Sequence, residues 1–258
     1  MKKSFNLKKR IPALIFAIAA ICLCFLGAAS KDDLSALCAN TSNRKLPVYR
    51  VGREDKTISI SFDCAWGNEY TKKLLDYMDE YGVKCTFFAV SFWVEKYPDD
   101  VKEIISRGHE MGTHSQTHSY MSKLSKEKII EELEYSCGKI EEISGKKPIL
   151  FRPPYGDYDD LLIETASSLG LYTIQWDVDS LDWKDLSASD IAKRVVSRVK
   201  SGSIILCHNN GKHTAESLPV IFATLKAEGY KFVPVSELIY KDDYKIERDG
   251  TQVKAKNS

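Results

Sequence analysis

From residue 57 onward, short apolar runs alternate with longer stretches in which apolar residues recur every three or four positions. The runs TISISF at 57–62 and KCTFFAV at 84–90 are typical of buried β-strands. The stretches 71–81 and 125–143 place their apolar residues on one helical face and predict amphipathic helices. The first half of this region is therefore predicted to contain a strand, a helix, a second strand and further helices.

The same alternation continues to residue 238. Further strands are predicted at 109–115, where the strand runs into a loop, at 148–156, where two prolines cut it off, and at 171–178 and 203–208; within 231–238 a last strand enters a short helix. Further helices are predicted at 94–107, 158–169, 187–199 and 215–228. Pro98 restarts the first of these helices, and Ser187 with Asp190 forms a capping box for the third. About seven β-then-α units predict an α/β fold with a mainly parallel sheet, closed or nearly closed into a barrel.

Residues 1–30 have the layout of a secretory signal peptide or an N-terminal membrane anchor. Five cations within the first ten residues precede the apolar run from Ala13 to Ala29. That run is slightly shorter than the roughly 20 residues of a spanning helix, and small residues at its end suit a cleavage site. Cleavage and anchoring both remain open, and both place the rest of the chain outside the cytoplasm.

Composition narrows the class of protein. The chain has 258 residues and a net charge of +1; residues 1–30 carry +5 and leave −4 for the remainder. A mildly acidic body argues against nucleic-acid binding, and no pattern indicates an obligate protein partner. The seven cysteines lack CxxC spacing and predict no disulfide framework. We expect a linker at 31–55, one domain at 56–242 and a charged tail at 243–258.

Polar and aromatic side chains follow five of the predicted strands, where the chemistry of such barrels is found. The five segments are SFDCAWG at 61–67, HSQTH at 114–118, RPPYG at 152–156, the acidic stretch from Asp177 to Trp183, and LCH at 206–208.

The two histidines of the second segment are the sharpest single signal. His114 and His118 are four residues apart, so both rings can face one metal ion from a helical turn or tight loop. The alternative is a pair of unrelated surface histidines. Their position directly after a strand favours metal binding.

Three further pairs of alternative interpretations concern charged groups and the groups that accompany them. Asp63 is either a general base at the end of a buried strand or a helix N-cap, although Thr71 is a nearer cap. Arg152, stiffened by two prolines, holds a carboxylate in a cleft or forms a surface ion pair. Asp182 and His208 form either an oriented acid pair or unrelated strand-end residues.

The order and spacing of the five segments resemble the NodB-homology polysaccharide deacetylases, carbohydrate esterase family 4. The resemblance covers about residues 56–240 and extends to the closing GYKFVPVSEL. It implies a distorted (β/α)7–8 barrel and metal-assisted hydrolytic N-deacetylation of a polysaccharide. FDCAWG is similar to the sporulation-associated branch, which implies peptidoglycan, particularly the muramic acid of the spore cortex, as the leading substrate.

The resemblance assigns catalytic roles to five residues. Asp63 matches the base and Arg152 the arginine that positions it. Tyr155 matches the residue whose backbone N–H helps to form the oxyanion hole. Asp182 matches the carboxylate that tethers the acid, and His208 matches that acid.

The same resemblance assigns binding roles. His114 and His118 match the two metal-binding histidines, and Leu206 matches the apolar residue that lines the acetyl pocket. Trp66 and Trp183 are candidate substrate contacts, although Trp183 is equally well interpreted as a packing residue.

Cys64 departs from the family pattern, which places a second aspartate there as the third metal ligand. Either a Cys64 thiolate binds the metal, or Cys64 is a small buried hydrophobe and the metal has two protein ligands. Two imidazoles and a thiolate favour Zn²⁺, and Co²⁺ suits similar ligands. The departure also leaves open a weakly catalytic sugar-binding or wall-assembly protein, and chitin-like oligomers remain an alternative substrate.

Overall fold

The computed structural model of the protein describes residues 44–255. The chain divides into two compact units, 1–44 and 45–258, and apart from Arg44 the described residues belong to the second. The predicted targeting segment and most of the predicted linker lie outside the described residues. Between residues 44 and 255, no helix has both the length and the apolar character needed to cross a membrane.

Parallel strands form the central sheet. Its strands are β2 (Thr57–Cys64), β3 (Thr86–Ala89), β4 (Glu110–Thr113), β5 (Leu150–Phe151), β6 (Tyr172–Thr173), β7 (Val178–Asp179), β8 (Ile204–His208) and β9 (Lys231–Phe232). They pair in the order β6-β5-β4-β3-β2-β8-β7, and β9 pairs with the start of β2. The α/β fold with a mainly parallel sheet is therefore confirmed.

Helices follow most strands, as the apolar periodicity predicts. They are α1 (Thr71–Glu80), α2 (Ser91–Lys96), α3 (Pro98–Ser106), α4 (Lys126–Ser144), α5 (Asp160–Ser168), α6 (Ala188–Val196), α7 (Thr214–Ala227) and α8 (Val235–Leu238). The restart at Pro98 separates α2 from α3. Ser187 caps α6 by accepting a hydrogen bond from the Asp190 N–H at 3.1 Å.

The sheet curls into an incomplete barrel. Its two outermost strands, β6 and β7, are linked by only four residues, 174–177. A fully extended chain from Thr173 to Val178 spans at most about 18 Å, so the open edges of β6 and β7 lie near each other. The barrel therefore stays open between β6 and β7, which do not pair with each other, so of the closed or nearly closed barrel that the sequence predicts, the structure has the nearly closed form.

The central strand β2 separates an apolar side from a polar side. Ile58, Ile60, Phe62 and Cys64 belong to the largest apolar cluster, together with buried residues of α1, α3, α6 and α7. The residues between them are serine or aspartate and point to the other face, because successive side chains of a strand alternate. This alternation delivers Asp63 to the inside of the barrel.

Two segments at the ends of the predicted domain contain strands that the sequence did not predict. The charged tail predicted at 243–258 contains strands β10 (Tyr244–Ile246) and β11 (Thr251–Lys254). Within the predicted linker, β1 (Arg50–Val51) pairs in parallel with β11. The three strands form a small separate sheet, because backbone pairing and buried side chains such as Gln252 outweigh the polar composition.

Candidate active site

Strand register brings the predicted base and the predicted acid side by side. Asp63 and His208 are direct partners in the parallel pairing of β2 with β8. Adjacent strands lie about 4.8 Å apart, so the two side chains leave the sheet as neighbours on its inner face. Both line a pocket of about 700 Å³ at the carboxyl ends of the strands.

Arg152 fixes the position of the Asp63 carboxylate through a hydrogen bond. Its Nη1 donates a hydrogen bond to Asp63 Oδ1 at 2.7 Å, and its Nη2 donates to Ser61 Oγ at 2.8 Å. The guanidinium is fully buried and stacks 4.1 Å from the ring centroid of Phe88. Arg152 is therefore a buried partner of a carboxylate, and the surface ion-pair interpretation does not apply.

The charge balance around Asp63 favours its ionised form. Burial alone would raise the pKa of this carboxyl, but the charge of Arg152, with contributions from His114 and His208, outweighs burial and lowers the pKa below its ordinary value. Asp63 is 8% exposed, so it contacts the pocket while remaining largely desolvated. A buried, ionised carboxylate facing a pocket is equipped to accept a proton.

His114 presents one ring nitrogen to the pocket. Its Nδ1 lies 2.7 Å from the Arg152 carbonyl oxygen, which can only accept, so Nδ1 carries the proton. Its Nε2 is left with a free lone pair 3.5 Å from Asp63 Oδ2. Burial lowers the pKa of His114, so the neutral ring suited to metal binding is favoured.

His118 supplies a second imidazole. The centroids of the two rings are 5.0 Å apart, and burial lowers the pKa of His118 to about 4, with His114 contributing. The Nδ1 of His118 is buried and has no hydrogen-bond partner among the described residues. Two neutral rings and an unpaired buried nitrogen fit a divalent cation bound through imidazole ligands.

Of the two interpretations of Cys64, metal ligand or small buried hydrophobe, its position supports the second. β2 continues through Cys64, so its side chain faces the helices, where it is fully buried in the main apolar cluster. Burial, followed by the charge of Asp63, raises the pKa of the thiol well above its ordinary value. Within residues 44–255, no three His, Cys, Asp or Glu side chains are grouped to hold a metal ion.

Asp182 and His208 form the expected pair. The Nδ1–H of His208 donates to Asp182 Oδ1 at 2.7 Å, while the backbone N–H of His208 and the Thr214 hydroxyl both donate to Oδ2. Burial opposes ionisation of Asp182, but the hydrogen bond from His208 prevails and lowers its pKa. The carboxylate is thus an ionised anchor that leaves His208 Nε2 facing the pocket.

Tyr155 adopts a left-handed backbone conformation, with φ of 61°. Such a conformation is uncommon for a non-glycine residue and is characteristic of functional turns. It lies in the short turn Pro154–Gly156, directly after the two prolines. Its backbone N–H forms no hydrogen bond with any other residue in 44–255, so a donor remains available.

The pocket unites nearly all of the predicted site residues. It is lined by Asp63, Trp66, His114, His118, Tyr155, Asp182, Trp183, Leu206 and His208. Arg152 lies beneath the pocket floor, and Cys64 lies on the far side of β2. Trp66 and Trp183 are 56% and 57% exposed, so the pocket rim displays two indoles to solvent.

Sequence reasoning missed several residues that shape the site. Trp176, Asn210 and Lys212 line the pocket, and Thr214 anchors Asp182. Glu132 on α4 is buried and holds the histidine segment. The available signal for Glu132 was its place on the apolar face of a predicted helix, where an acid is rarely buried without a partner.

The family model for polysaccharide deacetylases matches residues 50–174. A peptidoglycan-N-acetylglucosamine deacetylase of Bacillus cereus is 37% identical over 196 residues, covering 74% of this chain and 92% of the relative. The uncharacterized protein YlxY of Bacillus subtilis is 36% identical over 193 residues, covering 75% of this chain. The chain spans 60% of the length of YlxY.

Solved structures of related proteins superpose on this chain. A CE4 family pseudoenzyme from Bacillus anthracis superposes with a TM-score of 0.73 at 33% identity, covering 76% of this chain and 69% of that protein. A mutant of the same pseudoenzyme with restored enzymatic activity matches with the same TM-score at 34% identity, covering 76% of this chain and 71% of that one.

Proposed function

Because the chain belongs to the polysaccharide deacetylase family, we propose that it hydrolyses N-acetyl groups from the amino sugars of peptidoglycan. The observation that carries the proposal is one pocket with two anchored groups, Asp63 held by Arg152 and His208 held by Asp182. Amide hydrolysis needs a base for water and an acid for the amine, which these groups supply. The name of the Bacillus cereus relative supports peptidoglycan as the substrate.

In the proposed reaction, water adds to the carbonyl carbon of the acetamide, and Asp63 accepts a proton from that water. Arg152 keeps Asp63 ionised, so the carboxylate is ready to accept at neutral pH. The unpaired N–H of Tyr155 donates a hydrogen bond to the carbonyl oxygen as negative charge develops there. Leu206 and the two exposed indoles, Trp66 and Trp183, enclose the acetyl group and the sugar.

His208 completes the reaction as general acid. Its Nε2 proton passes to the amide nitrogen as the C–N bond breaks, which releases acetate and a free amino sugar. Asp182 fixes the ring through Nδ1, so Nε2 stays directed at the leaving group. Without this proton the leaving group would be an amide anion, which is a very poor one.

His114 and His118 are the residues that would hold a divalent cation, for which we propose Zn²⁺. When bound, such a cation supplies Lewis acidity, which polarises a carbonyl and lowers the pKa of water towards about 7. Because the described residues offer two imidazoles and no third protein ligand, we expect weaker binding than at a three-ligand site.

We also propose that the domain works outside the cytoplasm, where peptidoglycan is located. The basic and apolar character of residues 1–30 supports export through a signal peptide or retention by an anchor. A role in sporulation, acting on muramic acid, rests on the FDCAWG segment alone.

The test is incubation of the purified chain with N-acetylated peptidoglycan and Zn²⁺, followed by mass spectrometry of the digested muropeptides. The proposal expects new free amino groups, and their position assigns glucosamine or muramic acid. Asp63→Asn should lower the rate about 10²–10⁴-fold, whereas Asp185→Asn, an exposed carboxylate of the same pocket, should not. Unmodified muropeptides after treatment with the unaltered chain would refute the proposal.

A sugar-binding or wall-assembly protein without strong catalysis is the second candidate. The position of Cys64 on the far side of β2, facing the helices, favours it, since the site then lacks a third protein ligand among the described residues. The pseudoenzyme among the structural neighbours supports it as well.

Zinc titration separates the two candidates. An enzyme should bind Zn²⁺, lose at least about tenfold in affinity with His118→Ala, and keep its affinity with Cys64→Ala. A protein that binds sugar but no Zn²⁺ would support the second candidate. A large loss of zinc affinity in Cys64→Ala would contradict the orientation of that side chain.

A further inference from the structure

A second cleft lies beside the candidate active site, and we call it the side cleft. It has a volume of about 240 Å³ and is lined by Ser91, Phe92, Glu95, Gln116, Thr117 and Tyr135. Residues 116–117 belong to the segment between His114 and His118, so this segment separates the two cavities.

The side cleft opens at the catalytic end of the sheet. Ser91 follows β3 after a single residue, and Gln116 follows β4 after two. β3 and β4 run parallel to β2, so their carboxyl ends lie at the same edge as Asp63. The Ser91 N–H donates to the Ser115 carbonyl at 3.2 Å, which joins the start of α2 to the histidine segment.

The chemistry of the side cleft suits a sugar ring. Phe92 and Tyr135 are 38% and 41% exposed, so two aromatic side chains are open to solvent there. The Tyr135 hydroxyl donates to one Glu95 carboxylate oxygen at 2.6 Å, and the other oxygen forms no hydrogen bond with a described residue. Aromatic surface with nearby hydroxyl, amide and carboxylate groups matches the apolar faces and hydroxyl edges of a saccharide.

An unpaired buried hydroxyl gives an independent sign of a ligand. Ser91 is 1% exposed, and its Oγ has no hydrogen-bond partner in the described part of the chain. A buried hydroxyl without a partner costs free energy, and a polar group bound beside it would offset that cost. A sugar hydroxyl in the side cleft would supply that partner.

We propose that the side cleft binds a further sugar of the same glycan strand whose acetamide enters the active site, so that the strand crosses residues 116–117. The inference rests on the proposed function, because it takes that glycan as its ligand. The cleft lining carries no lysine or arginine, which favours a neutral saccharide over a peptide carboxylate.

The test measures binding against glycan length. N-acetylated peptidoglycan fragments of two, four and six sugars are titrated calorimetrically into the Asp63→Asn chain, which leaves the fragments intact. We expect affinity to rise about tenfold, or about 1.4 kcal/mol, with length. Adding Phe92→Ala and Tyr135→Ala should abolish that rise. Leu161→Ala, which removes a similarly exposed side chain on α5 (39%), is the matched control and should preserve it.

The outcomes separate this inference from the proposed function. Equal affinity for all lengths, an undiminished rise in the double variant, or no binding of any fragment would overturn the side cleft as a subsite. Length-dependent binding without acetate release by the unaltered chain would leave the subsite standing and refute the deacetylase proposal. Ser91→Ala provides a second check, since it should weaken binding of the longer fragments only.

Discussion

His208 owes its acid character mainly to Asp182. Burial by itself lowers the pKa of this imidazole, but the hydrogen bond from its Nδ1 to Asp182 and the charges of Asp182 and Asp63 raise the pKa above its ordinary value. Because the folded state binds this proton more tightly than the unfolded state, protonation of His208 stabilises the fold. The stabilisation is fully present below the pKa of the unfolded histidine and is lost as pH rises through the higher pKa of the folded state. The protonated acid thus persists to higher pH than in a free imidazole.

The pH–rate profile tests this dependence. Asp182→Asn removes the anion that favours protonation, so the alkaline limb of kcat/KM should move to lower pH. The control is Asp185→Asn, which removes an exposed carboxylate of the pocket without touching His208. An alkaline limb at the same pH in the unaltered chain and in both variants would show that His208 is not the titrating acid.

Most site residues were predictable one by one, because each follows a strand and parallel strands end at one edge. The pairing of Asp182 with His208 was predicted from the residues, that of Asp63 with Arg152 was implied by the family resemblance, and both are present. Cys64 was not predictable, because the face it occupies depends on whether β2 stops at Asp63 or continues through Cys64. The extension of β2 by one residue therefore decides whether Cys64 faces the metal site or the apolar core.

At the scale of elements, α4 controls the segment that carries the histidines. The buried Glu132 carboxylate accepts hydrogen bonds from the Gln116 and Thr117 N–H groups at 2.9 Å and from the Thr117 hydroxyl at 2.6 Å. The segment also includes two left-handed residues, Ser115 and His118. Such backbone conformations persist only when surrounding contacts enforce them, and Glu132 supplies those contacts.

We therefore expect Glu132→Leu to lower zinc affinity about 10–100-fold without abolishing folding. Glu132→Gln keeps one acceptor oxygen and should give an intermediate loss. Glu131→Ala changes an exposed neighbour on the same helix and should leave zinc affinity unchanged. Calorimetric zinc titration of the three variants checks the order; equal affinities would show that α4 does not position the histidines.

Helices were easier to predict than strands. Periodic apolar residues give the bounds of α1, α4 and α7 to within a few positions. The strand predicted at 148–156 shrinks to β5, because prolines follow at 153 and 154 and cannot donate to a ladder. The run 171–178 contains β6 and the first residue of β7, since its middle forms the link between these two strands.

At the scale of the whole molecule, the small sheet ties the two ends of the described chain together. Gln252 on β11 is fully buried and bridges the backbone of Tyr240, accepting from its N–H at 2.8 Å and donating to its carbonyl at 2.7 Å. Arg50 on β1 donates to the Thr251 hydroxyl at 3.0 Å. These contacts were not predicted from the sequence, because the predicted linker and the predicted charged tail are both polar.

Gln252→Leu should lower the free energy of unfolding by about 2 kcal/mol, because it leaves two backbone groups of Tyr240 without partners. Lys245→Ala, which removes an exposed side chain from β10, should change it by less than about 0.5 kcal/mol. Urea unfolding of both variants measures the difference. Equal stabilities would show that the small sheet does not contribute to the fold.

Acetate release shows whether this barrel is a metal-assisted deacetylase. Purified peptidoglycan is incubated with the chain after chelation and again after Zn²⁺ is restored, and acetate is measured. We expect acetate release that is lost with chelation and recovered with Zn²⁺, because His114 and His118 bind the ion. A folded chain that releases no acetate with Zn²⁺, or equal amounts with and without it, would contradict the account.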